Sequence, residues 1–320
     1  MFKRIISLFL VFVLLFTLGA CKSEDSEQET ESGEYIQSDV GDNEISSDDV
    51  ENASSTAPNT DNTLQATNND NTTATTTTEA VRSVKVTVPE GYTLVRIAWL
   101  LEDKGVCDSD DFIKAAQTYT EWLDLSQYSF LNDMKKASNV CFYLEGYFFP
   151  LTYDLQKDMD PKQVIKTLLN GTKGRFNDSL LQRVRQSGYN LHEILTIASI
   201  IEKEAFKSSD RTMISSVLHN RLNAGMKLQC DPTITYCTGV IDVIYPDKLD
   251  YYKYYYNTYR CSALPAGPIC NPGMGAIEAA LSPAQSDYFY FILEDKEPYN
   301  SYFSKTYEEH SQKWEEIQNG

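Results

Sequence analysis

The sequence predicts an α+β fold from residue 83 onward, and three observations predict it. Val84, Val86 and Val88 alternate with Lys85 and Thr87, the period of a strand with one buried face. Between residues 94 and 222 the apolar side chains instead recur three and four positions apart, the spacing of one helix face. Beyond Gly225, Pro, Gly, Tyr and Asn dominate to about Gly275, the composition of loops and short strands. About 240 residues follow position 82, enough for a sizeable core in one large or two small domains.

The first strand ends at the turn Pro89-Glu90-Gly91. Leu94, Ile97, Ala98 and Leu101 then fall at i, i+3, i+4 and i+7, a helix that Gly105 stops. Ser109 is read as the cap of a second helix through Phe112, Ile113 and Ala116, and a second extended stretch is expected over residues 141–153. From Pro161 the chain reads as helices first and loops later. Val164, Ile165, Leu168 and Leu169 make one amphipathic helix, and residues 180–184 belong to another. Asn190 is read as the cap of a third helix reaching about Phe206. Asp210 is read as the cap of a fourth, carrying Met213, Ile214, Val217, Leu218 and Leu222. Loops on such a helical base are where sites are usually built.

The residues before position 83 have a different character. Lys3 and Arg4 precede an apolar run over residues 5–18, which is too short for an ordinary membrane span and fits a secretory signal. It stops at Leu18-Gly19-Ala20-Cys21, which resembles the lipobox of bacterial lipoproteins. That resemblance implies a diacylglyceryl group on Cys21, removal of the residues before it, and a chain held at the outer face of the cell membrane. The net charge of −18 is concentrated in residues 22–82, which hold 15 acidic and 2 basic residues. With hardly any large apolar side chain, this stretch cannot offset the entropy of ordering and is expected to be a disordered tether. As a flexible coil it would span about 40 to 50 Å. The remainder is only mildly acidic and has no basic stripe to neutralise phosphates, which excludes nucleic acid as a partner.

Of seven cysteines, six remain once Cys21 is given to lipid: Cys107, Cys141, Cys230, Cys237, Cys261 and Cys270. An exported chain allows disulfides, and six cysteines permit 15 pairings. Local bridges from Cys230 to Cys237 and from Cys261 to Cys270 are favoured because the loops look short and turn-rich. No pair has zinc-site spacing, and His192, His219 and His310 form no cluster, so neither metal nor cofactor is expected. Gly-x-Ser-x-Gly and His-Glu-x-x-His patterns are absent, which argues against serine and metal hydrolases.

The chemistry-bearing segment is the end of the third helix, Ile201-Glu202-Lys203-Glu204-Ala205. At 100° per residue Ile201 sits near the middle of the apolar arc, with Glu202 and Glu204 flanking it and Lys203 facing away. A carboxyl at such a border loses hydration, and its pKa rises from about 4.3 towards neutrality, as a general acid requires. Two ordinary boundary glutamates fit the same pattern, and helical geometry does not choose between Glu202 and Glu204.

The segment Ile197-Ala198-Ser199-Ile200-Ile201-Glu202-Lys203-Glu204-Ala205 resembles the signature of the YceG-like endolytic murein transglycosylases. Further matching segments follow in order: His219-Asn220-Arg221-Leu222, Gly225-Met226-Lys227-Leu228-Gln229-Cys230-Asp231-Pro232-Thr233, Tyr256-Asn257-Thr258-Tyr259, Leu264-Pro265-Ala266-Gly267-Pro268-Ile269 and Asn271-Pro272-Gly273. Upstream, Leu144-Glu145-Gly146-Tyr147-Phe148-Phe149-Pro150 matches too. The chain departs from the family pattern at Cys230, where a small polar residue usually precedes the Asp-Pro-Thr. The lipobox is a second departure, since relatives commonly use a membrane-spanning helix.

The resemblance implies an endolytic lytic transglycosylase that cuts the β-1,4 bond between N-acetylmuramic acid and N-acetylglucosamine, leaves a 1,6-anhydro end and terminates glycan elongation. It makes Glu204 the catalytic residue, with Glu202 as a lesser candidate, and places Glu202, Gln229, Asp231, Thr233, Tyr236, Asn257 and Tyr259 around the glycan. Pro265-Ala266-Gly267-Pro268 becomes a rigid wall of the cleft. Residues 83–155, a strand and two helices before a second extended stretch, resemble a LysM-like module. Residues 156–320 would be the catalytic domain, lysozyme-like in its catalytic helix. The partners implied are peptidoglycan glycan strands and, through the lipid, the membrane, with cell-wall synthases as candidates. The alternative from another class is a non-catalytic peptidoglycan-binding lipoprotein. A hydrolase that leaves reducing ends is the third reading.

Overall fold

The first strand alternates as its sequence predicts. In β1 (Ser83–Thr87) Val86 is buried, while Ser83, Lys85 and Thr87 face solvent. The computed structural model describes residues 83–134, 137–261, 263–294 and 297–319. The predicted signal, Cys21 and the tether lie outside the described residues. β1 pairs antiparallel with β2 (Thr152–Gln156), so that Val84 faces Leu155 and Val86 faces Tyr153. Two strands cannot hold a buried face alone. Val86, Tyr153 and Leu155 therefore join one core with Leu94, Ile97 and Leu101 of α1 (Leu94–Asp103) and Phe112 of α2 (Ser109–Gln117).

Caps explain where these helices begin. Thr93 Oγ1 accepts the amide of Arg96 at 3.1 Å to start α1. The cap of α2 is Asp108, one residue before the expected Ser109. Its carboxylate accepts the amides of Asp110 and Asp111 at 2.9 and 3.0 Å. A carboxylate makes the stronger, charge-assisted cap, and the Ser109 hydroxyl turns to Glu102 instead. The short α3 (Tyr119–Trp122) follows. The extended stretch expected over residues 141–153 is confined to β2, because the chain reverses at Gly146. There φ is +86°, and an added Cβ would lie 2.6 Å from Pro268.

Pro161 opens α4 (Pro161–Arg175) behind an Asp160 cap, and α5 (Asp178–Gln186) starts at Asn177. The next helix, α6 (Leu191–Glu204), begins with a capping box. Asn190 Oδ1 accepts the Glu193 amide at 3.0 Å, and Glu193 Oε2 accepts the Asn190 amide at 2.9 Å. From Leu191 to Ile201 every residue except Glu193 is buried, so α6 is the central helix of the molecule. It packs against α7 (Arg211–Asn223), α8 (Asp231–Tyr236) and α11 (Met274–Leu281). It ends at Glu204, two residues before the expected Phe206, because Ala205 turns to extended backbone. Asp210 stands at the expected cap position of α7, but its side chain makes no capping bond. Its carboxylate is taken by the Ser301 hydroxyl.

The loop-rich part carries α9 (Asp242–Ile244) and α10 (Leu249–Tyr256). Beyond α11, β3 (Tyr290–Leu293) pairs antiparallel with β4 (Ser301–Ser304), and α12 (Tyr307–Asn319) closes the described chain. The fold is thus a helix-rich α+β arrangement with two separate two-stranded antiparallel sheets among the described residues. β2 runs to Gln156, one residue past the end expected for the first module.

The favoured disulfides are not formed: all six cysteines are free thiols. Cys230 precedes α8 and Cys237 follows it. The six residues of α8 lie between them and set them about 10 Å apart, beyond the reach of a disulfide. Cys270 is fully buried with its Sγ 3.5 Å from the carbonyl of Ser199, whereas Cys261 is half-buried near Cys237.

Candidate active site at the end of the central helix

The last turn of α6 carries Glu202 and Glu204 out of the core on either side of the fully buried Ile201. The two flanks meet different surroundings. Glu202 Oε1 lies 3.5 Å from Arg211 Nη2, and its Oε2 accepts the amide of Gly273 at 3.2 Å. Arg211 also stands 3.8 Å from Glu90. A side chain at Gly273 would meet the Glu90 carboxylate, which would have to move aside. Burial raises the Glu202 carboxyl, while Arg211 and the Gly273 amide pull it back down. This flank is a braced ion pair that fastens the end of α6 to the start of α11.

The Glu204 flank faces α8 and the loop after α10. Burial first and the negative charge of Asp231 second push the Glu204 carboxyl up to about 8, against a hydrogen bond from the Cys230 thiol that acts in the opposite direction. Cys230 is itself buried, and its thiol is held far above its ordinary range, so it stays protonated and able to donate. Asp231 Oδ1 accepts the phenol of Tyr259 at 2.6 Å, which fixes the carboxylate beside the site. Burial and this bond push the Tyr259 phenol up. A carboxyl that keeps its proton at neutral pH at the end of a rigid helix can act as a general acid.

The backbone before Asp231 is shaped for this. Gln229 is left-handed, with φ at +53°, an uncommon conformation for a non-glycine residue that must be held from outside. Arg221 of α7 holds it. Its Nη1 donates to the carbonyl of Leu228 at 2.8 Å and to Gln229 Oε1 at 3.1 Å, while its Nε reaches the carbonyl of Phe289 at 2.6 Å. Thr258 closes the other side, with its Oγ1 accepting the Cys230 amide at 2.8 Å.

The residues expected around the glycan therefore fall into three groups. Gln229, Asp231 and Tyr259 are exposed and lie on the Glu204 flank. Thr233, Tyr236 and Asn257 are buried and bonded within the protein: Thr233 Oγ1 to the carbonyl of Cys230 at 2.7 Å, Tyr236 Oη to Glu145 at 3.1 Å, and Asn257 Oδ1 to the amide of Tyr259 at 2.9 Å. Their place is beneath the exposed layer. Glu202 is on the opposite flank, engaged by Arg211. The sequence marks Arg221 only as a member of a matching segment, and Cys230 as a departure from the family pattern and a disulfide candidate. The sign of their importance was a buried arginine and a buried thiol in a loop-rich stretch, which sequence does not display.

A cavity of about 500 Å³ opens at the other end of α6, lined by Asn190, His192, Leu222, Leu264, Pro265 and Ala266. Twelve helical residues, about 18 Å, separate its His192 from Glu204. Pro265 and Ala266 thus form a wall there, whereas Pro268 packs on Gly146.

The sequence profile of the YceG-like family matches residues 59–316. The chain is 34% identical to the endolytic murein transglycosylase of Bacillus subtilis over 242 residues, covering 71% of this chain and 63% of that protein. It is 30% identical to the endolytic murein transglycosylase of Streptococcus pneumoniae over 241 residues, covering 70% of this chain and 43% of that protein. It therefore spans less than two thirds of the length of either relative. The 2.6 Å crystal structure of a yceG-like protein from Listeria monocytogenes is similar, with a TM-score of 0.64 and 35% identity over 71% of this chain and 75% of that one.

Proposed function

From the premise that this chain belongs to the YceG-like family, we propose that it is an endolytic lytic transglycosylase of peptidoglycan, with Glu204 as its acid and base. The observation that carries this reading is the Glu204 carboxyl, kept protonated to about 8 at the end of a buried helix and open to the exposed Asp231, Tyr259 and Gln229.

In the first step Glu204 gives its proton to the glycosidic oxygen, and the bond from that oxygen to C1 of the muramyl sugar breaks. The N-acetylglucosamine leaves with a free 4-hydroxyl. In the second step the 6-hydroxyl of the same muramyl sugar attacks C1, and its proton returns to Glu204. No water is consumed, and the enzyme ends as it began. The attack is intramolecular, so holding the ring supplies much of the acceleration. Amide, hydroxyl and aromatic groups at Gln229 and Tyr259 suit N-acetyl sugars. Asp231 keeps the proton on Glu204 through its charge. A hydrolase reading draws on the same Asp231, since a second exposed carboxylate beside the acid is what activation of water would require.

The experiment is digestion of purified glycan strands by the full chain and by Glu204→Gln, with mass spectrometry of the products. Muramyl termini lacking one water are expected from the wild type and not from the variant. Reducing ends from the wild type would move the assignment to the hydrolase reading, and full activity in the variant would remove Glu204.

The same reading extends to the rest of the chain. Residues 83–155 form a LysM-like module that grips glycan, a reading supported by the succession of β1, α1 and α2, then α3 and β2, and by the antiparallel pairing of its two strands. A lipid on Cys21 holds the enzyme at the outer face of the membrane, residues 22–82 set its reach, and cell-wall synthases are its candidate partners. Metabolic labelling with a fatty-acid analogue that Cys21→Ser abolishes would support the anchor, and labelling that persists would refute it.

A further inference from the structure

Glu145 is fully buried, yet no step above uses it. Its two oxygens receive donors from three separate segments. The amide of Leu94, first residue of α1, reaches Oε1 at 2.9 Å and Oε2 at 3.1 Å. Asn271 Nδ2 reaches Oε1 at 3.0 Å, and the Tyr236 phenol reaches Oε2 at 3.1 Å. Burial pushes the Glu145 carboxyl up to about 8 against the pull of these hydrogen bonds, and a buried carboxyl with this many partners is costly to leave half-bonded, so each partner is held where the carboxyl needs it.

Two of those donors belong to the walls that bracket the last turn of α6. Tyr236 closes α8, whose first turn presents Asp231 and follows Cys230. Its ring lies 5.4 Å from that of the buried Tyr256, which leads into the Asn257-Thr258-Tyr259 loop holding the same residues from the other side. Asn271 stands two residues before Gly273, whose amide holds Glu202. It is itself knotted by the carbonyl of Tyr92 at 2.9 Å and the amide of Phe148 at 2.8 Å. Glu145 therefore touches the Glu204 wall through Tyr236 and the Glu202 wall through Asn271.

We propose that Glu145 is a positioning residue for the site, one buried carboxyl group that sets the distance between the two walls and so holds Cys230 and Asp231 of one of them against Glu204. The inference rests on Glu204 as the proton donor. Without the Tyr236 bond, α8 keeps its anchor at Thr258 but is free to roll. Asp231 then withdraws and water enters, and both changes lower the pH at which Glu204 gives up its proton. The ionisable groups facing Glu204 are Cys230 and Asp231 from the α8 segment and Tyr259 from the loop after α10.

The test is carboxyl 13C NMR on the full chain, with the Glu204 resonance assigned by its loss in Glu204→Gln. The wild type should titrate near 8. Tyr236→Phe, which conserves volume and leaves the carboxylate in place, should lower that midpoint by about half a pH unit or more, and Glu145→Gln by about one pH unit. In glycan digestion both should lose kcat, Glu145→Gln by about tenfold, with KM within about twofold of wild type. A merely structural role would lower thermal stability and leave the midpoint of the folded protein unmoved, and that result in Tyr236→Phe overturns the proposal even if Glu145→Gln fails to fold. The titration needs no catalysis, so a chain that makes no anhydro ends would refute the transglycosylase reading and leave this measurement to decide on its own.

Discussion

The two flanks of the last turn of α6 begin with the same chemistry and receive opposite assignments. Glu202 and Glu204 stand two residues apart beside Ile201, and burial raises both carboxyls. What separates them arrives from distant segments. Arg211 and the Gly273 amide come to one flank, and Asp231 with the Cys230 thiol comes to the other. A half-buried carboxyl opposite a cation becomes a strut, while one opposite an anion keeps its proton. The difference teaches that place on the helix raises both carboxyls by burial, and that the charges brought beside each one decide which becomes the acid.

The largest test of that contrast is substitution of each glutamate in turn. Glu204→Gln should cost about a thousandfold or more in kcat, the scale of a lost general acid. Glu202→Gln, which leaves the acid in place, should stay within about tenfold by the same measure. Equal losses in the two variants would erase the distinction. Next in size is Arg211→Met. It strips Glu202 of its cation, and because the pair is partly exposed the cost should be about 2 kcal/mol, read from the urea midpoint with an unchanged m-value.

Asp231→Asn removes the anion from the other flank. Glu204 must be protonated to act, so activity falls on the alkaline side. Without Asp231 that alkaline limb should move down by about one pH unit, with the acid side little changed. A limb that stays in place would mean burial alone holds the proton. The last test concerns stability. The folded chain holds the Glu204 proton up to about 8, against an ordinary carboxyl value of 4.5. The stability contributed by that proton is complete below the ordinary value and is lost as the pH rises through the folded one. Thermal unfolding of Glu204→Gln should therefore gain on the wild type progressively from about pH 5 to pH 8. A constant difference across that range would contradict the raised value.

Periodicity carried much of the fold. The alternating valines became β1, and the helical spacings became α1, α4 and α6, because burial of one face is a local property of the chain. Less legible were features decided at a distance. Asp210 has the type of a helix cap but is claimed by Ser301 from β4. The cysteines suggested short bridges, but a helix separates Cys230 from Cys237. In the site, Glu204, Gln229, Asp231 and Tyr259 could be named from matching segments. Thr233, Tyr236 and Asn257 came from the same segments but lie in the buried layer beneath, since a motif records which residues a site needs and not which of them face its ligand.

The pairing of β1 with β2 has a mechanical consequence. Ser83 and Gln156 face each other at one end of the ladder. The chain enters β1 at the first and leaves β2 at the second, towards α4. Tension between the chain before residue 83 and the body beyond residue 156 therefore opens the ladder one residue pair after another, a weaker geometry than shearing all the pairs at once.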